Sequence, residues 1–239
     1  MDGAVTGAAK LKLYDLAGAD PARRFSPYCW RVRMALAHKG LDVETIPWIY
    51  TEKQAIAPSG QGAVPVLVNG DKWVFDSWTI AEYLEDTYPD RPSLFGGGAG
   101  RALSRFFAGW ADGVLNPGLL RFVLLDVWKQ LDPRDQEYFR QTREKRVGTT
   151  LEAFTAEREK YLQGFRDSLL PLRLALKTQP FLGGDKPLQA DYIVFGGFQW
   201  ARTVSNFEVL PADDRVAAWR SRLLDLFGGL ARKNPSISG

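Results

Sequence analysis

The feature that most restricts the fold is a change of hydrophobic rhythm across a Pro/Gly-rich break. Pro89, Asp90, Arg91 and Pro92 come first, followed by residues 96–100, of which four are Gly. Such composition marks a linker between separate cores. Before it, short apolar runs alternate with amphipathic segments. After it, every apolar pattern has the helical period. The chain therefore reads as an α/β domain over residues 1–92 and an all-α domain over 101–239, with a linker at about 93–100. A length of 239 residues is enough for two modest cores, and eight Trp and fourteen Phe supply bulk to fill them.

Leu11 to Leu16 predicts a strand. A helix follows from 27 to about 39, with Trp30, Met34, Ala37 and Leu41 on one face and Gly40 as its stop. Val43 to Trp48 predicts a second strand, and 51–57 one or two helical turns. Residues 64–68 and 73–75 flank Asn69-Gly70-Asp71, a strong hairpin signal. Asp76-Ser77 then opens a helix whose buried face is Ile80, Tyr83, Leu84 and Tyr88. The order is β-α-β followed by β-β-α.

Beyond the break, Leu103, Phe106, Phe107, Trp110 and Val114 mark the face of a long helix interrupted near Asn116-Pro117-Gly118. Leu151, Phe154, Tyr161, Phe165, Leu169 and Leu172 mark another, read as a bundle helix rather than a coiled-coil seam. A compact apolar helix runs from 191 to about 204. Val216, Trp219, Leu223 and Leu226 mark the last, and 234–239 reads as a frayed tail.

Bulk properties exclude several classes. A formal charge of +3 is too weak to point to nucleic acid, although a pI near 8.9 favours anionic small ligands. No run is long enough to span a bilayer, and residues 1–10 lack the apolar core of a secretory signal. One cysteine rules out an intrachain disulfide framework and a cysteine zinc site, and fits a reducing compartment, most simply the cytoplasm. One histidine, His38, rules out multi-histidine metal sites and leaves little for a Ser-His-Asp triad.

Three places in the first ninety residues can bind a ligand together. Ser26 caps a helix and Pro27 occupies its first turn, so a hydroxyl and free N–H groups meet at a positive helix end. Val64-Pro65 places a proline directly before a strand. A cis bond there would expose the preceding backbone N–H and C=O to a peptide-like ligand. Asp76-Ser77 offers backbone N–H groups and a hydroxyl for a carboxylate, and an acid for an ammonium. The set suits a small zwitterionic peptide carrying a thiol.

The same residues carry a family resemblance. Ser26-Pro27-Tyr28-Cys29-Trp30-Arg31, Val64-Pro65-Val66-Leu67 and residues 76–84 resemble the thioredoxin-like domain of glutathione S-transferases. Residues 181–192 resemble that family's approach to a buried helix, so the likeness covers nearly the whole chain. The Ser-Pro-Tyr-x-Trp-Arg form, with Asp76-Ser77-Trp78, is similar to a serine-type subgroup that includes bacterial β-aryl etherases and related fungal transferases. One departure is Leu188, where the family has Ser or Thr to cap the buried helix with an acid three residues later. Asp191 is present but the hydroxyl is missing, which leaves the reciprocal capping box incomplete.

The resemblance implies glutathione as co-substrate, no metal, a homodimer, a detoxifying role and a thiol held near Ser26. A free thiol titrates near 8.5, and lowering that by about two units requires roughly 2.7 kcal/mol, within reach of a charge-assisted hydrogen bond plus the helix end. Ser26 is then a donor to a thiolate, and Val64, Pro65, Asp76 and Ser77 hold the peptide. Tyr28, Phe106, Trp110 and Phe122 are candidate walls for a hydrophobic electrophile, with Phe107, Leu119 and Trp200 beside them. Trp48 is another candidate near the site. Tyr14 reads as strand packing, with thiol activation, as in the family's tyrosine-type enzymes, the alternative that the resemblance implies; Arg31 reads as a carboxylate partner or interface support, and His38 as solvated or capping.

Three functions remain: glutathione transfer to an aromatic electrophile, including aryl ether cleavage; carriage of apolar ligands without catalysis; and thiol redox chemistry through Cys29. Ser26-Pro27-Tyr28-Cys29 looks like a redox motif whose first cysteine is replaced, so dithiol chemistry cannot run on Cys29 alone.

Overall fold

The computed structural model describes residues 10–237. The absence of a secretory signal, and the last two residues of the expected tail, lie outside or largely outside that range. Four strands form one mixed sheet in the order β2-β1-β3-β4: β1 Leu11–Leu16, β2 Val43–Trp48, β3 Val66–Asn69 and β4 Lys72–Phe75. β1 runs parallel to β2, pairing Leu11 with Val43 and Leu16 with Trp48. β3 is antiparallel to both β1 and β4. Gly70 takes φ of +59° in the turn between β3 and β4, a conformation glycine reaches without a Cβ clash.

Helix α1, Pro27–His38, is buried on nearly every side, with Cys29, Trp30, Val32, Met34, Ala35 and Leu36 all fully enclosed. It lies between the sheet and α9, Gln189–Val204, which is itself almost wholly buried. Helix α2, Ser77–Thr87, buries Ile80 and Leu84. Its expected partners Tyr83 and Tyr88 are only half-buried, because both hydroxyls reach the Asn69 side chain, which donates to them at 2.8 and 3.0 Å.

The second half begins with α3, Gly98–Trp110, so the last three residues of the glycine-rich break form the first turn of a helix. One turn of π-helix, Ala111–Leu115, joins it to α4, Asn116–Gln130. The expected interruption is this wide turn. Pro117 lacks an N–H and crowds the preceding turn, and a π turn accommodates it without ending the helix.

The face of α3 differs from expectation. Leu103 and Phe106 are 64% and 68% exposed, and Val114 is also exposed. The buried face is instead Ser104, Ala108, Ala111 and Leu115. Small residues let α3 approach α9 closely. At Gly196 a Cβ would sit 2.3 Å from the Pro27 carbonyl oxygen, and at Gly197 2.7 Å from Asn116 Oδ1. These two glycines allow α9 to touch α1 on one side and the start of α4 on the other.

The single helix expected over 151–172 is three: α6 Leu151–Thr155, α7 Arg158–Ser168 and α8 Leu170–Ala175. Thr150 caps the first, and Pro171 restarts the last in a position where its missing N–H costs nothing. Helix α5, Pro133–Val147, has no counterpart in the sequence reading. Its apolar stripe is short and most of its surface is charged. Helix α10, Arg215–Gly229, loses helical geometry at Leu226, Phe227 and Gly228.

Two termini of elements depart from expectation. The Asp191 carboxylate accepts from Leu188 N, which is the acid's half of the capping box, and also from Leu182 N, Gly183 N and Trp219 Nε1. Four donors on one buried acid replace the missing hydroxyl. At the C-terminal end Asn234 is buried, not frayed. Its carboxamide accepts from Arg24 N and donates to Arg24 O, both at 3.2 Å. No described helix is long and apolar enough to cross a membrane.

Candidate active site

The sheet topology brings the three sequence motifs to one end. β1 and β4 finish there, and β3 begins there. Val66 pairs with Tyr14 on one side and Phe75 on the other. Pro65 therefore neighbours Asp76, and the chain leaving Leu16 returns at Ser26. Three connections fix that returning loop: Ala17 bridges Arg24, Trp30 Nε1 donates to Arg24 O at 2.9 Å, and the Asn234 side chain clamps Arg24 from the far end of the chain.

Ser26 is the N-cap of α1 in extended geometry, with Pro27 in the first turn. Its Oγ accepts from Cys29 N at 3.2 Å and the residue is 4% exposed. A cap of this kind stabilises a helix by about 1 kcal/mol. Accepting that bond leaves the hydroxyl able to donate, and the buried Cys29 thiol is one hydrogen-bond neighbour it has within the protein. Ser26 opens on a cleft of about 250 Å³ between the sheet end and the helices.

Sheet-side walls come from Pro27 and Tyr28 of α1, Trp48 at the end of β2, Tyr50 just beyond it, and Ala63 and Val64. The Val64-Pro65 peptide is cis, and Val64 precedes the β3 ladder. Asp76 caps α2 with φ of +66°, its Oδ1 accepting from Trp78 N and Thr79 N. Ser77 is buried beside it. Neither residue lines the cleft itself, and both stand at the same sheet end.

The helical wall differs from expectation. Phe106 points outward from α3, Trp110 is half-buried outside the cleft, and Phe122 is core. Phe122 stacks on Phe207 at 5.4 Å and meets Phe165 edge-on. Leu119 is core as well, whereas Trp200 of α9 does line the cleft. The residues present instead are Asp112 of the π turn, Asn116, Pro117 and Leu120 of α4, and Phe139, Arg143 and Arg146 of α5. The last three lie at offsets of four and seven on one helical face, the signal that a search for apolar stripes passes over.

Electrostatics separate the groups. Arg31 is buried and meets Asp112 at 2.6 Å, a link from α1 to the π turn, and its guanidinium lies 4.6 Å over the Tyr28 ring. Burial, and then the Asp112 charge, raise the Tyr28 hydroxyl above its ordinary range. Burial pushes Tyr50 up to about 12. The fully buried Asp135 carboxylate accepts from Tyr50 N and Thr51 N at 2.7 and 2.9 Å, which fastens α5 to the end of β2.

Cys29 has no exposed surface. Burial, and then the neighbouring Asp15 carboxylate, push its thiol well above the ordinary value. Asp15 is itself enclosed and raised by burial, with Arg33 and Arg24 at 3.6 and 3.8 Å opposing that rise. A reactive thiol needs access and a depressed pKa, so this environment counts against redox chemistry at Cys29. Tyr14 stacks on Trp73 at 5.8 Å, as strand packing requires. His38, expected to be solvated or capping, instead ties α1 to Tyr192 Oη at 2.7 Å and to Ser93 O at 3.0 Å.

A four-stranded thioredoxin-like sheet followed by a helical domain, with a capped serine at the sheet end, defines a class. Residues 22–92 match the glutathione S-transferase N-terminal domain and residues 102–225 the glutathione S-transferase C-terminal domain. The chain belongs to the glutathione S-transferase family. Among curated relatives, Glutathione S-transferase Z1 of Arabidopsis thaliana is 40% identical over 96 residues, 37% of this chain and 39% of that protein. The match thus spans about two fifths of the relative's length. Among solved structures, glutathione transferase GSTFuA3 of Phanerochaete chrysosporium superposes with a TM-score of 0.75 at 29% identity over 95% of both chains. CsGST63524 of Ceriporiopsis subvermispora, determined in complex with glutathione, gives 0.76 at 26% identity, covering 91% of this chain and 96% of that one.

Proposed function

We propose that the protein is a serine-type glutathione transferase that joins glutathione to an electrophile with an apolar, aromatic body. The observation that carries this is the Ser26 hydroxyl, buried at the start of α1 where it lines the cleft, with Cys29 N donating to its oxygen. Glutathione lies across the sheet end. Its cysteinyl backbone pairs with Val64 ahead of Pro65, and its γ-glutamyl end meets Asp76 and Ser77. The sulfur stands at Ser26 as a thiolate, favoured by the O–H donor and by the helix end. The thiol proton leaves to solvent. The thiolate attacks an electrophilic carbon, a C–S bond forms, and a leaving group departs with the displaced electron pair.

An aryl ether is the same reaction with an aryloxide as the leaving group, and the fungal relatives GSTFuA3 and CsGST63524 are consistent with that subgroup. Tyr28 forms part of the electrophile wall. The exposed Leu103 and Phe106 of α3 favour a homodimer in which a second copy covers them. The single buried cysteine suits the cytoplasm.

Calorimetric titration with glutathione at neutral pH tests binding, and turnover of chlorodinitrobenzene tests transfer. Uptake of glutathione with turnover that falls in Ser26→Ala supports the reading. Folded protein that takes up no glutathione contradicts it. Binding of an apolar dye without turnover of any electrophile would make the protein a carrier.

A further inference from the structure

We propose that the electrophile carries an acidic group, a carboxylate or similar oxyanion, at the end remote from the attacked carbon, and that Arg143, Arg146 and Asn116 receive it. The inference rests on the transferase reading and narrows its substrate class.

Three observations converge. Arg143 and Arg146 stand one helical turn apart on the cleft face of α5, and neither meets a carboxylate among the described residues. Most charged side chains near them are committed: Arg140 to Glu144 and Glu152, and Arg134 to Asp132 and Glu52. Among the described residues Asp112 is the one acid lining the cleft, and it is held by Arg31 at 2.6 Å. The two cations of α5 therefore face the cleft without an ion pair of their own among the described residues.

Asn116 supplies the second line. It lines the cleft, is 8% exposed, and among the described residues its side-chain amide has no hydrogen-bond partner beyond the Tyr28 hydroxyl beside it. Orphaned buried amides are rare and costly, and at a binding cleft a ligand group is the natural partner.

The guanidinium positions form the third. Arg143 lies 4.7 Å over the Phe139 ring and 5.3 Å from the Tyr50 ring centroid, and its Nη1 donates to Thr142 Oγ1. Aromatic rings hold the fork in place and leave donors for an anion. Asp135 fixes the start of the same helix to β2, so the arginine face does not drift from Ser26. The rest of the lining includes the apolar side chains of Leu120, Val127 and Trp200. A ligand matched to this surface is aromatic in the middle and acidic at one end.

The test uses 4-chloro-3,5-dinitrobenzoate and the corresponding benzamide. In both, the glutathione thiolate adds at the carbon bearing chlorine, chloride leaves with its electron pair, and the thiol proton goes to solvent. Each kcat/KM is divided by the uncatalysed rate constant with glutathione. The expected result is an acid preference of about tenfold or more, falling about tenfold in Arg146→Gln and further in Arg143→Gln/Arg146→Gln, with the glutathione KM unmoved. One charge-assisted hydrogen bond is strong enough for such a change.

Equal use of acid and amide by the wild-type protein would overturn the inference and leave the transferase reading standing. So would a rise in glutathione KM with an unchanged acid/amide ratio, since the arginines would then hold a carboxylate of the peptide. Tryptophan quenching by the two compounds, with S-methylglutathione bound, reads the same preference as affinity without turnover. Failure of glutathione uptake by folded protein would remove both readings together.

Discussion

The two walls of the cleft are built on different principles. On the sheet side, backbone and capping geometry do the positioning. Ser26, Val64, Asp76 and Ser77 are placed by where strands stop and helices start, and β3 fixes their spacing through its pairing with β1 and β4. On the helical side, position comes from side chains on separate elements: Asp112 on a π turn, Asn116 on α4, Arg143 and Arg146 on α5 and Trp200 on α9. The first wall suits an invariant ligand whose own backbone must be matched. The second can be changed residue by residue without disturbing the first, as a wall that selects substrates requires.

The largest effect should come from a residue that supports both walls. Asp191→Ala would leave four donors without their acceptor, at the start of the helix that carries Trp200 and packs on α1. Each unsatisfied buried donor costs about 1–3 kcal/mol, so a loss of at least about 3 kcal/mol is expected in urea unfolding. A loss under 1 kcal/mol would mean that α9 does not depend on this acid.

Next is the chemistry assigned to the sheet side. Ser26→Ala should lower kcat/KM for conjugation about 10–100-fold, the worth of one hydrogen bond to a charged sulfur, while stability falls by only about 1 kcal/mol. If rate and stability fell by the same free energy, Ser26 would be a cap and nothing more.

Cys29→Ala sharpens the contrast between a buried and a reactive position. Conjugation should stay within about twofold, because the thiol is enclosed and held protonated by burial. A thiol reagent should label Cys29 only on unfolding. Complete loss of activity in a folded Cys29→Ala protein would restore the redox reading.

The smallest effect is a pH dependence. Burial lowers His38 below its ordinary 6.5. The unfolded chain therefore takes up a proton at a higher pH than the native protein does. The stabilising contribution is present above 6.5 and is lost as pH falls below it toward the native value. His38 is the chain's only histidine, so His38→Gln should flatten the stability profile in that window. An unchanged profile would place the dependence on carboxylates.

Legibility in the sequence follows the same division. β1, β2, α1, the β3–β4 turn and the start of α2 are announced by local signals: alternation, a Ser-Pro cap, Asn-Gly, Asp-Ser. The sheet-side motifs therefore read directly. Periodicity shows that α3 is amphipathic but not which neighbour it meets. The aromatic stripe with Phe106 looks like a buried face until the small residues Ser104, Ala108 and Ala111 are seen to pack on α9. Helix α5 has too few apolar positions to register, although it carries both cleft arginines. Asn116 is an ordinary polar residue until a π turn and Gly197 enclose it. Tertiary packing made the helical wall, and local pattern does not encode tertiary packing.

The direct test is the ionisation of glutathione's sulfur when bound, followed by ultraviolet thiolate absorbance across pH in the wild-type protein and in Ser26→Ala. The account predicts a bound thiol titrating about two units below the free value near 8.5 in the wild type, and returning most of the way in the variant. Identical titrations in the two proteins would contradict it.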